Sequence, residues 1–87
     1  MFPLIVRLLF TQYYYPRNFK IRGYPLNGVN QDSWVDVYSK TNNTALELVI
    51  ELPQTYTFTT WELRVNDITT GSHIEVRRFD IGIKNNS

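Results

Sequence analysis

Between Ala45 and Pro53 the side chains alternate, with Leu46, Leu48, Ile50 and Leu52 on one parity and Glu47, Val49 and Glu51 on the other. A period of two sends successive side chains to opposite faces of an extended chain, whereas a helix repeats its apolar positions every three or four residues. Ala, Leu and Glu are good helix formers, so a helix is the rival. The period and the closing Pro53 predict a strand over 46–52. A strand with one apolar face needs pairing partners and a second layer to cover it. The rest of an 87-residue chain has to supply both.

Further strands are legible by the same logic. Leu4 to Thr11 is almost continuously apolar, broken by Arg7, and reads as a central or doubly buried strand. Phe19 and Ile21 alternate with Lys20 and Arg22; Trp34 to Tyr38 follows, after a stretch whose Gly23, Pro25, Asn27 and Gly28 predict a turn. Thr57 to Val65 opposes Trp61, Leu63 and Val65 to Glu62 and Arg64. Ile74 to Ile83 forms the last strand, and its apolar phase slips by one residue between Val76 and Phe79, which predicts a bulge at Arg77-Arg78. Pro16 predicts a loop from Gln12 to Asn18, and polar runs predict loops at Ser39 to Thr44 and Asn66 to His73. Six strands without a long amphipathic helix predict an all-β, antiparallel β-sandwich or barrel, formed by 1–87 as a single domain.

Composition excludes several functions. Nine basic residues against eight acidic ones, with no run longer than Arg77-Arg78, lack the basic stripe of a nucleic-acid binder. Without cysteine there is no thiolate metal site, Cys nucleophile or disulfide. The opening M-F-P-L-I-V-R-L-L-F lacks a basic start and a small-residue cleavage site, so a buried strand is preferred to a secretory signal, and it is too short to span a bilayer. Asn42-Asn43-Thr44 and Asn85-Asn86-Ser87 fit the glycosylation sequon, a pattern short enough to arise by chance. His73 is the lone histidine, and the scattered acids form neither a calcium loop nor a carboxylate pair. The reading is therefore of a non-enzyme with no cofactor and no metal site.

The ordered series F-K-I-R-G, a turn region, W-V-D-V-Y-S-K-T-N-N-T, an alternating strand, T-T-W-E-L-R-V, a Gly-containing loop and I-E-V-R-R-F-D-I-G resembles the C-terminal half of a discoidin domain. That family, also called coagulation factor 5/8 type C, has a galactose-binding-like jelly-roll fold. The resemblance covers about three quarters of the chain. It implies that strands before Met1 are missing, with the family's calcium site and part of its ligand site, so that the sandwich is incomplete at its N-terminus and edge strands are exposed. The family's strand arginine falls at Glu62 and its closing-strand glutamate at Arg78, which predicts an ion pair of exchanged polarity. The family's sugar-binding arginine falls near Gln12 and so is not carried over. The closing cysteine is absent, Gly82 being followed by Ile83.

If successive strands reverse direction, the loops Gln12 to Asn18, Ser39 to Thr44 and Asn66 to His73 share one end. Tyr13, Tyr14, Tyr15, Arg17, Asn42, Asn43 and His73 are then the candidate ligand-binding residues, with Lys40 and Asp67 nearby. Tyrosine rings suit the apolar side of a sugar, and amide, guanidinium and imidazole groups suit its hydroxyls. The bland alternative is that the tyrosines close the base of the sandwich and the asparagines serve turns. Two functions stay open: recognition of a carbohydrate or similar exposed ligand, and docking to a protein partner, a second copy or a larger assembly through sandwich edges.

Overall fold

The computed structural model describes residues 4–68 and 73–83. Six strands follow in order: β1 Leu4–Phe10, β2 Pro16–Pro25, β3 Val35–Lys40, β4 Glu47–Glu51, β5 Phe58–Ile68 and β6 Val76–Ile83, with a single 3-10 turn at Gln31–Ser33. All pairing is antiparallel. The strands form two three-stranded sheets, β4-β1-β6 and β3-β2-β5, so the two strands that come first in sequence sit at the centre of different sheets.

Alternation decides what faces the core. Leu4, Val6, Leu8 and Phe10 of β1 and Phe19 and Ile21 of β2 join Ile50 and Leu52 in one buried cluster, so the inner faces of both sheets share a core in a sandwich-like arrangement. Phe10 meets Phe19 edge-on at 5.9 Å between ring centroids, linking the two central strands across the layers. Each such side chain, fully removed from water, contributes about 1.5–3 kcal/mol. The period-two pattern of 46–52 holds: Ile50 and Leu52 are buried while Glu47, Val49 and Glu51 are exposed. Trp61, Leu63 and Val65 of β5 pack against the core from the other sheet.

The bulge expected at Arg77-Arg78 is present. Leu9 lies opposite Arg78 and Phe10 opposite Val76, which leaves Arg77 as the extra residue and restores the inward phase at Phe79.

Several expectations require correction. Pro16 opens β2 rather than lying in a loop, because the first residue of a strand can lack an N–H without breaking the ladder. At its other end β2 continues through Gly23 to Pro25, so Gly23 is a buried strand residue and not part of a turn. Trp34 precedes β3, which runs on through Ser39 and Lys40. Asn66 to Ile68 extend β5, and β6 begins at Val76 rather than Ile74. The expected Glu62–Arg78 pair does not form. Glu62 faces outward from the β3-β2-β5 sheet and bonds to Arg22, while Arg78 lies beside Leu9 on the outer face of the other sheet and pairs with Asp80 at 3.3 Å. The core separates the two faces.

Candidate functional site

Antiparallel pairing brings the β1–β2, β3–β4 and β5–β6 connections to one end of the molecule. The first turns through Thr11 to Tyr14, closed by the Tyr14 N–H donating to the Thr11 carbonyl at 3.0 Å, with Tyr13 in the left-handed region at φ 73°. Its link to the third connection is two backbone bonds, Thr11 N–H to the Glu75 carbonyl at 3.1 Å and Glu75 N–H to the Tyr14 carbonyl at 2.9 Å. The Tyr14 and His73 rings then stack at 4.6 Å, and His73 Nε2 lies 3.3 Å from the Glu75 carboxylate.

The second connection is tied to the start of β2. Asn43 N–H donates to the Arg17 carbonyl at 2.8 Å, and Asn42 N–H donates to Asn18 Oδ1 at 3.0 Å. Asn42 is left-handed at φ 53°, a conformation asparagine tolerates. The Asn43 side chain is 1 % exposed. Its Nδ2 donates to the carbonyls of Pro16 at 2.9 Å and Ala45 at 3.0 Å, while its Oδ1 accepts from the Ala45 N–H at 3.1 Å.

A cleft of about 210 Å³ opens between these connections, lined by Tyr15, Arg17, Asn42, Asn43 and Thr44. Four of the seven residues anticipated from sequence therefore meet. Two others, Tyr14 and His73, stack on each other at the same end, and Tyr13 projects 66 % exposed at the turn. Asn43 shapes the cleft instead of offering its amide to a ligand, since backbone groups already engage that amide. Tyr15 also has a structural role, packing half-buried against the core. Residues 69–72 and the Asp67 side chain lie outside the described residues. Among the described residues, no group of three or more His, Asp or Glu side chains converges in a way that could hold a metal ion. No helix among them is long and apolar enough to cross a membrane.

Sequence reading missed a second constellation, on the outer face of the β3-β2-β5 sheet, where Arg22, Gln31, Trp34, Glu62 and Arg64 surround another cleft. Its signal was present, since alternation puts Arg22, Glu62 and Arg64 on the polar side of β2 and β5. The register that makes them neighbours was not. No family model, curated protein or solved structure matches this chain.

Proposed function

We propose that the loop end recognises a carbohydrate, or a similar polar ligand with one apolar face, without catalysis. The observation that carries this reading is the cleft between the first and second connections, where Tyr15, Arg17 and the exposed Asn42 border one opening. Side chains of these types suit a sugar, aromatic carbon its apolar face and guanidinium and amide groups its hydroxyls. The volume is smaller than that of drug-sized pockets, which run from about 300 Å³ upward, and suits a single sugar ring at a shallow site. Further support comes from Tyr13, whose left-handed backbone is strained for an aromatic residue and lies at this end. On this reading the two sheets are the C-terminal half of a discoidin-like, galactose-binding-like jelly roll.

Titrating intrinsic fluorescence of the folded protein against a glycan panel tests the reading. A saturable response that Arg17→Ala abolishes, while circular dichroism shows the variant still folded, is the expected result. Silence across the panel from folded protein overturns it.

A second reading, docking of a protein partner or a second copy through a sheet edge, is favoured by β5. This strand is eleven residues long and pairs only with β2, leaving its other edge open within the described sheets. Light scattering that gives a dimer or larger species, together with no glycan response, would favour docking; a glycan-responsive monomer would favour the first reading.

A further inference from the structure

The outer-face cleft has a volume of about 350 Å³ and shares no residue with the loop-end cleft. Arg22 is one of its lining residues. Arg22 Nε and Nη2 each lie 2.7 Å from Glu62 Oε1, and Cζ sits 4.8 Å from the centroid of the Trp34 ring. Tyr24 meets that indole edge-on at 5.2 Å, so the aromatic backing is itself held in place. With its side chain only 18 % exposed, Arg22 is fixed by an anion on one side and a π face on the other.

Arg64 is placed differently. It approaches the same Glu62 oxygen at only 3.7 Å, and its side chain is 55 % exposed. One carboxylate oxygen thus serves two guanidinium groups and satisfies one of them. An independent feature of the register sharpens the imbalance. Lys20 of β2 lies directly opposite Arg64 of β5, and like charges directly opposite each other in a sheet are destabilising. Their acidic neighbours draw the two apart, Lys20 towards Asp36 on β3 at 3.3 Å and Arg64 towards Glu62. Lys20, Arg22 and Arg64 therefore face Asp36 and Glu62, which leaves one positive charge without a counter-charge among these groups, beside an open cleft.

We infer that this cleft binds the carboxylate group of a small ligand, with Arg64 supplying the paired N–H donors and Gln31 a further polar group. A planar guanidinium fork matches a carboxylate with two parallel hydrogen bonds. A single excess positive charge favours a monoanion over a dianion, and Glu62 in the lining repels a second negative charge. The indole of Trp34 borders the opening and gives the organic part of the ligand an apolar wall. This inference is independent of the loop-end reading, and either can fail alone.

The test is an NMR titration of the intact chain with sodium acetate and sodium glycolate, following the Arg22 and Arg64 Nε–H and Trp34 Nε1–H signals. Sodium chloride at matched ionic strength is the reference. Saturable shifts at these signals with the carboxylates, absent with chloride, are expected. Arg64→Gln should weaken binding by about tenfold or more, the scale of a lost charged hydrogen-bond pair, and Arg64→Lys, which keeps the charge and loses the fork, should weaken it less. Shifts equal to those from chloride, affinity unchanged in Arg64→Gln, or phosphate at pH 8 binding more tightly than either carboxylate would each overturn the inference.

Discussion

Phe58 lays its ring over the backbone of Gly23, where a Cβ would come within 1.9 Å of ring carbon Cδ2. Gly23 is buried near the C-terminal end of β2, and Phe58 begins the neighbouring strand β5. The ring is itself held, stacked on Tyr56 at 5.0 Å and edge-on to Trp61 at 4.9 Å, so it cannot yield without disturbing two other aromatics. Gly23→Ala should therefore destabilise the fold by about 2–4 kcal/mol, at the upper end of overpacking costs. Chemical denaturation checks this. In a Phe58→Ala background the same substitution should cost markedly less, because the clash has been removed.

Asn43 should be the most sensitive polar position. Replacing it with Ala strands two carbonyls and one N–H that its amide now satisfies, at a cost of about 2–3 kcal/mol. Asn43→Asp should be worse at neutral pH, since a buried carboxylate would face the Pro16 and Ala45 carbonyls. Burial raises the folded-state pKa of such an acid, so the variant should regain stability relative to wild type as pH falls through that pKa and the group becomes neutral. Thermal melts of both chains at pH 7 and pH 4 give the comparison. A deficit that does not shrink at pH 4 would show that the introduced charge is not its source.

The Arg22–Glu62 pair joins β2 to β5 across 40 residues of sequence. Glu62→Gln leaves the half-buried Arg22 guanidinium without its charged acceptor, and partial exposure of Glu62 limits the loss to about 1–2 kcal/mol. Lys20–Asp36 is more exposed, and Asp36→Asn should cost less than about 0.5 kcal/mol. Unfolding free energies of the two variants, measured at low salt and at 0.5 M salt, should keep this order.

Tyr13 separates a binding role from a folding role. Glycine adopts the left-handed region without strain, so Tyr13→Gly should leave stability unchanged or raise it by up to about 1 kcal/mol. If the exposed ring contributes to ligand contact, the glycan response should fall in the same variant. A drop in stability of more than 1 kcal/mol would instead mark the ring as a structural part of the turn.

Two aliphatic side chains test the alternation itself. Ile21 is fully buried and Val49 is 63 % exposed. Ile21→Ala should cost about 3–4 kcal/mol through lost transfer energy and the cavity left behind. Val49→Thr should remain within about 0.5 kcal/mol. Urea midpoints of the two variants decide it.

What sequence made legible is what alternation encodes locally. The inward set Leu48, Ile50 and Leu52, the six strands and the phase slip at Arg77 could all be read from neighbours one to three residues apart. Partners across the sheets could not. Glu62 carries the same negative charge whether its neighbour is Arg22 or Arg78, and register alone chooses. Gly23 likewise looked like turn punctuation because its reason, the ring of Phe58, lies 35 positions further along the chain. At the loop end the topology was foreseeable and gathered the anticipated loops. That Asn43 would turn inward and become a fastening was not, because its bonding partners are backbone groups that any sequence would supply.

Placing β1 and β2 at the centres of different sheets sets the order in which the chain can assemble. β1 has no partner nearby in sequence: it waits for β4, some forty residues on, and then for β6, where Leu4 meets Ile83. Among the described pairings, only the β2–β3 hairpin can close early, and its sheet still lacks β5. Almost every pairing therefore has to overcome the entropy of closing a long loop before any burial repays it, which points to slow folding. During that interval the apolar face of Leu4, Val6, Leu8 and Phe10 is uncovered. For a newly made chain, the hazard is self-association before the core has closed.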